Sequence, residues 1–365
     1  MDVSGEIVSM FIYDCGVKFS EEQLKGLLKN QEEFSHYEYT HPSPEEIATF
    51  SEPSIFNLKD IVYDAGQNSE QIRFKVQVSI YVTGIFSIRF RYQFNGPITV
   101  MQKLTFDKGI KDFLVAASAK ERAKVEKALS RISQISASTI NEAYRFYFIN
   151  TDKRKLAEKD KKMIAGLLID EQNTDMLSNS YIEEVTKRSI IYNDDDIIYV
   201  GWEGAVMVDT ENAYEQELTV TEIANAQLLE MRIYYDSISK TITHAESLLP
   251  SMLTLSKRGK LKRLNMELGR FYGRTQDMMN TANDTIVGFG EWYLSRLYAL
   301  YDDAFKLGFW RASLEKQLDI LDKRRNFIAD VLRSQWDEVL EWIVILLIVV
   351  EVVVEVLFLA GVKPL

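Results

Sequence analysis

QIRFKVQVSIYVTGIFSIRFRYQF, from Gln71 to Phe94, holds two strand-like runs around a Thr83-Gly84 turn. In the first run Arg73, Lys75 and Gln77 alternate with Ile72, Phe74, Val76 and Val78, the period-2 pattern of a strand with one apolar face. The stretch predicts a β-hairpin and, with it, a sheet.

Working outward, Ile7–Tyr13 (IVSMFIY) and Ile55–Tyr63 read as further strands. Ser20–Lys29 (SEEQLKGLLK) opens with the Ser20 to Gln23 spacing of a capping box and reads as a helix. A second strand-then-helix unit begins at Tyr144, where YRFYFI leads into KRKLAEKDKKMIAGLL, ending at Leu168. Gly166-Leu167-Leu168 there answers Gly26-Leu27-Leu28, which fits either a duplicated module or coincidence. The short hairpin IIYVGWEGAVMVD (Ile197–Asp209) would close a second sheet, and Asp107–Ile135 reads as a charged amphipathic helix between the two units.

Helical spacing takes over from Glu217, with Thr219 and Thr221 as caps and Ile223, Leu228, Leu229 and Ile233 on one face. Lys257–Asn280 and Thr285–Phe309 continue it, and a last helix starts near Arg311. In that helix Leu314, Leu318, Leu321, Arg325, Ile328, Leu332, Gln335, Val339, Trp342 and Leu346 fall on alternating spacings of 4 and 3. This suits an oligomeric coiled-coil seam through Leu314, Leu318, Leu321, Ile328, Leu332 and Val339, or equally a bundle helix packed on its neighbours.

The final helix runs into Trp342–Val362 (WIVILLIVVEVVVEVLFLAGV), in which 18 of 21 residues are apolar. At about 1.5 Å per residue that is roughly 31 Å, near the thickness of a bilayer core. The sixteen Leu, Ile, Phe and Val residues favour insertion by about 5 to 10 kcal/mol, and Glu351 and Glu355 oppose it by about 5 to 7. A buried helix or strand of a soluble core is the competing reading. Only three residues follow, so a tail anchor is expected; Lys323, Arg324, Arg325 and Arg333 before it, against Lys363 after, put the large domain on the cytoplasmic side.

The expected fold is therefore α+β: a mixed sheet and helix N-terminal half, then a helical C-terminal half whose long coiled-coil-like helix runs into one transmembrane helix. Its parts are an α+β unit at 1–140, a second at 141–215, a helical domain at 216–310, the coiled-coil-like helix at 311–341 and the anchor at 342–362.

With 365 residues and 46% apolar content the chain has material for a core, and a net charge of -11 argues against coating nucleic acid along its whole length. One cysteine, Cys15, excludes a disulfide framework, and three histidines with one thiol leave no Cys/His zinc spacing. The opening MDVSGEIV has neither a secretory nor an organelle-import pattern.

SLEKQLDILDKRRNFIADVLRSQWDEVLEWIVILLIVVEVVVEVLF, together with YVGWEGAVMVD and LTVTEIANAQLLEMRIYYDSISKTI, resembles the required-for-meiotic-nuclear-division family. That family's pattern is an α+β part and a helical part in which a hydrophobic-D-x-R-hydrophobic helix runs into an E-W-hydrophobic anchor. The matching positions are Leu321, Asp322, Arg324 or Arg325, and Glu341-Trp342, and the resemblance covers Ile197–Leu359. It implies a membrane-anchored homo-oligomer and, through the family's mitochondrial member, support of organellar translation with RNA or ribosome contact. The missing transit peptide and the two glutamates in the anchor depart from it, and favour a prokaryotic cell membrane over an organellar inner membrane.

No phosphate-binding, dinucleotide, zinc-protease or nucleophile-elbow motif is present, so neither an enzyme nor a cofactor is expected. Asp194-Asp195-Asp196 reads as a solvated turn ahead of a divalent-cation site, and His36 and His41 lack a third ligand. Lys257, Arg258, Lys260, Lys262 and Arg263 fall within seven residues, a patch suited to phosphate or anionic lipid headgroups, or simply a solvated helix start. Glu351 and Glu355, one turn apart, form an intramembrane polar pair. The function expected is an oligomeric scaffold or tether supporting translation or membrane-associated assembly; the alternative is a cation channel or ion sensor with acidic rings.

Overall fold

Gly84 makes the hairpin: its φ of +95° lies in the left-handed region, and a Cβ there would sit 1.9 Å from the Val17 carbonyl oxygen. The computed structural model describes residues 2–20, 22–24, 35–36, 53–64, 71–156, 158–252, 257–287 and 292–359. Among them, ten strands share one sheet: β1 (Asp2–Asp14), β2 (Ser35–His36), β3 (Ser54–Asn57), β4 (Ile61–Tyr63), β5 (Ile72–Ile80), β6 (Ile85–Pro97), β7 (Glu142–Asn150), β8 (Ser189–Ile190), β9 (Ile197–Val200) and β10 (Gly204–Asp209).

The order is β2-β3-β5-β6-β1-β7-β10-β9-β8, with β4 beside β5. All pairings are antiparallel except β7 with β10. β1 lies between β6 and β7, so the two α+β units expected at 1–140 and 141–215 are halves of one sheet. The halves also differ in direction, since β1 meets β6 antiparallel while β7 meets β10 parallel. The first Gly-Leu-Leu lies outside the described residues, whereas the Ser20 capping box forms in both directions: Ser20 N donates to Gln23 Oε1 at 2.8 Å, and Gln23 N to Ser20 Oγ at 3.2 Å.

One sheet face is apolar and carries α1 (Thr99–Phe106), α2 (Lys108–Leu129), α3 (Glu158–Ile169) and α4 (Asn179–Thr186). The α2 residues Ile110, Leu114, Val125 and Leu129 pack with Phe74, Val78, Phe86, Ile88 and Phe90. Ile164 and Leu168 of α3 and Ile182 of α4 pack with Ile7, Tyr147, Val206 and Val208. The helix expected over Asp107–Ile135 starts where read, because Asp107 caps it: its carboxylate accepts from Ile110 N at 2.9 Å.

The opposite face meets the start of α5 (Glu215–Met252) and α7 (Trp292–Ala304). Tyr214 stacks on Phe148 at 4.3 Å between ring centres, and Tyr144 packs edge-on against Tyr301 and Phe305. Residues 1–233 and 281–311 form this first unit; residues 234–280 and 312–365 form the second. The first half of α5 thus belongs to the first unit and its second half to the other.

The second unit is helical and contains the rest of α5, most of α6 (Arg258–Val287) and most of α8 (Leu307–Leu359). Leu314, Leu318, Leu321 and Ile328 of α8 are between 0% and 5% exposed, and Leu332 and Val339 are half-buried. The face read as an oligomer seam is thus the inner face of the chain's own helices, where Ala245, Leu249, Leu261, Leu264 and Leu268 are buried too. Among the described residues no helix is long and apolar enough to cross a membrane. The 18 residues ending at Val356 hold Glu341, Glu351 and Glu355.

Leu321→Ala removes a fully buried side chain, and we expect a loss of about 2 to 5 kcal/mol. Urea unfolding checks it, and a change under 1 kcal/mol would place Leu321 outside the core.

Candidate functional site

Five alternate positions of β6, namely Ser87, Arg89, Arg91, Gln93 and Asn95, are polar and share one face of the strand, the first three buried and the last two exposed. The first half of α5 supplies the acids that meet them. Glu222, fully buried, accepts from Arg89 Nε at 2.9 Å, from Arg89 Nη2 at 2.5 Å and from the Tyr81 hydroxyl at 2.6 Å. Burial alone would raise the Glu222 carboxyl, but the Arg89 guanidinium outweighs it and holds the group below its usual range.

Arg91 makes the second node. Its Nη2 donates to Glu6 Oε2 at 2.8 Å and to Glu215 Oε1 at 2.6 Å, its Nη1 to Gln77 Oε1 at 3.0 Å, and the Tyr214 ring lies 5.8 Å away. Burial works against the Arg91 charge; the two carboxylates more than offset it and raise its pKa. Arg89 Nη1 also lies 3.9 Å from Glu215 Oε2, so three carboxylates and two guanidiniums form one connected network.

At the end of the same face the sheet register puts Ser4 opposite both Asn95 and Asn150, and Glu6 opposite both Gln93 and Phe148. With Asn212 these residues line a recess of about 370 Å³ floored by Phe148 and Tyr214. Its lining offers carboxamides, the hydroxyls of Ser4 and Tyr214 and one arginine-held carboxylate. These groups can donate to and accept from a polar molecule.

Glu217 is 7% exposed, and its Oε2 has no hydrogen-bond partner. Burial first, and then the charges of Asp209 and Asp196, push its carboxyl up to about 7. Asp196 accepts from the backbone N–H of Tyr192 at 2.8 Å and of Asn193 at 3.0 Å, Asp195 accepts from Thr210 Oγ1 at 2.7 Å, and Asp194 is exposed. Among the described residues no group of three His, Cys, Asp or Glu could hold a metal ion. His36 sits in β2, and His41 lies outside the described residues. Cys15 is fully buried, and that burial pushes its thiol up to about 12, which keeps it from acting as a thiolate.

In the second unit, Lys257, Lys260, Lys262 and Arg263 are exposed at the start of α6, while Leu261 and Leu264 turn inward. Arg258 lies over the Trp336 ring at 4.4 Å. Beyond that contact the character of α8 changes. Every apolar residue from Trp342 to Val356 is between 44% and 65% exposed, on all sides of the helix, and Glu351 and Glu355 are exposed with them.

A mixed sheet with one parallel step, a charged network between that sheet and α5, and an uncovered helical end define an α+β protein. Residues 4–215 match the family described as "Uncharacterized protein MJ0711, N-terminal domain", and the chain belongs to that family. Among its relatives is "Uncharacterized protein MJ0711" of Methanocaldococcus jannaschii, 22% identical over 264 residues, which are 70% of this chain and 80% of the relative. No solved structure matches the chain. The family match ends at residue 215, so most of Ile197–Leu359, the stretch that resembles the required-for-meiotic-nuclear-division family, lies beyond it.

The arginines and acids of the network escaped the reading of the sequence, although a signal was there. Glu215 and Glu222 are two helical turns apart and hence on one face of α5, and β6 shows the matching alternation of charge.

Arg89→Met leaves Glu222 buried beside an apolar side chain, and we expect a loss of about 3 to 5 kcal/mol, most of it recovered in Arg89→Met/Glu222→Leu. Urea unfolding of the single and double variants decides this, and an additive double variant would mean the pair is not coupled.

Glu217 ionises at about 4.5 when unfolded and at about 7 when folded. The unfolded chain therefore loses its proton first, and stability from this group falls as pH rises through that window and is flat above it. Glu217→Gln should be more stable than wild type by about 3 kcal/mol near pH 8 and indistinguishable near pH 4. The same difference at both pH values would refute the protonation argument.

Proposed function

We propose that this protein is a membrane-attached scaffold or tether, whose α+β body is held at a bilayer by the end of α8. The observation that carries the reading is the all-round exposure of Trp342–Val356. A protein partner covers one face of a helix; a lipid environment covers its whole circumference, and an apolar surface of this extent in water is otherwise an aggregation liability. Trp342–Leu359 of α8 is about 27 Å of helix, and the apolar sequence continues to Val362, beyond the described residues. Glu351 and Glu355 bring insertion close to break-even, so Trp342 at the near end and the basic residues before it contribute to holding the segment in place. The excess of Lys323, Arg324, Arg325 and Arg333 over Lys363 favours a cytoplasmic body.

In cells making the full chain, we expect it in the membrane pellet after alkaline carbonate washing, and the variant lacking 342–365 in the supernatant. Full-length protein washed into the supernatant would refute attachment through this segment.

A further inference from the structure

We infer that the basic start of α6 is an anionic-lipid contact, set by α8 at the level of the headgroups; this rests on the reading of Trp342–Val356 as the bilayer segment. Two contacts fix the direction of α6 along α8. Arg258 lies over Trp336 at 4.4 Å and Arg325 over Tyr272 at 5.4 Å, so 14 residues forward on α6 correspond to 11 backward on α8. The helices are antiparallel, and the first turn of α6 is the part of it nearest the apolar end.

Trp336 precedes Trp342 by six residues, about 9 Å along the helix. The interfacial layer on each side of a bilayer core is about 5 to 8 Å deep, and the screening length in physiological salt is about 8 Å. Lys257 and Arg258 therefore sit at the outer edge of the headgroup layer, within one screening length of its phosphates, and Lys260, Lys262 and Arg263 follow about 3 to 8 Å further out along α6, a distance their extended side chains can span in part. Buried Leu261 and Leu264 turn the helix so that Lys257, Lys260, Lys262 and Arg263 remain exposed.

Acids share this level. Asp337, Glu338 and Glu341 of α8 are exposed there, against Lys257, Arg258, Lys260, Lys262, Arg263 and Arg333. The cations outnumber them by three, on a chain whose net charge is -11. This local reversal of sign favours phosphatidylglycerol-type headgroups over zwitterionic ones, with a moderate gain because the acids offset part of it.

The test uses the full chain reconstituted in nanodiscs of phosphatidylcholine alone or mixed equally with phosphatidylglycerol. Acetylation of individual lysines is followed by mass spectrometry. Lys257, Lys260 and Lys262 should react about fivefold more slowly in the anionic discs, with the difference abolished by about 1 M salt. Lys316, exposed and twenty residues before Trp336, should react alike in both.

Equal rates at the three lysines, in protein that alkaline carbonate does not wash from the discs, would overturn this inference alone. Protein that is washed off would overturn the attachment reading and this inference with it. Equivalent protection in phosphatidylcholine discs by inorganic phosphate or RNA would overturn lipid as the partner and assign the patch to soluble polyanions.

Discussion

Two guanidinium groups lie on a covered face of the sheet, and the carboxylates that α5 brings to them decide how that helix rests on the strands. Taking an ion out of water costs several kcal/mol, so each alternative placement of α5 that leaves Arg89 or Arg91 unpaired is heavily disfavoured. Glu215 and Glu222 are two turns apart and make a two-point fix. Sliding the helix by one turn, about 5.4 Å, would break both points at once. An apolar interface of the same size would bind α5 as well but would tolerate more positions, and the recess between Ser4 and Asn212 depends on the positions it has.

The fold was legible wherever a signal is local. The Gly84 turn and the Ser20 box each involve residues within a few positions of one another and form as read, and the helix read from Asp107 starts there under an Asp107 cap, although it ends at Leu129 and not Ile135. What escaped is non-local. Polar residues on alternate positions of a strand usually face water, and nothing near β6 in the chain says that α5, 133 residues further from Arg89, covers them. The single sheet was missed for the same reason, because β1 pairs with β6 and β7 at long range on both edges.

The heptad-like spacing of α8 shows the opposite limit. Period 3.5 reports that one stripe of a helix is buried without saying whether the partner is the same chain or another copy. Leu314, Leu318, Leu321 and Ile328 are buried within the chain itself. The stripe ends near Gln335, which is 6% exposed, and from Trp342 no side of the helix is covered. One continuous helix thus changes from a core element to an uncovered apolar rod within two turns. The patch at Lys257 gained its meaning only when Arg258 was seen against Trp336.

The separation of Arg89 from Glu222 also sets a timetable for biosynthesis. At about 5 to 20 residues per second, the 133 residues between them take a ribosome about 7 to 27 seconds to make. During that interval no α5 exists to cover the side of β6 that carries Arg89 and Arg91, and water suits those charges better than it would suit leucines. A strand face destined for the interior is in this way kept soluble until its covering helix emerges, and the same side chains that later order the core protect the nascent sheet from edge and face association.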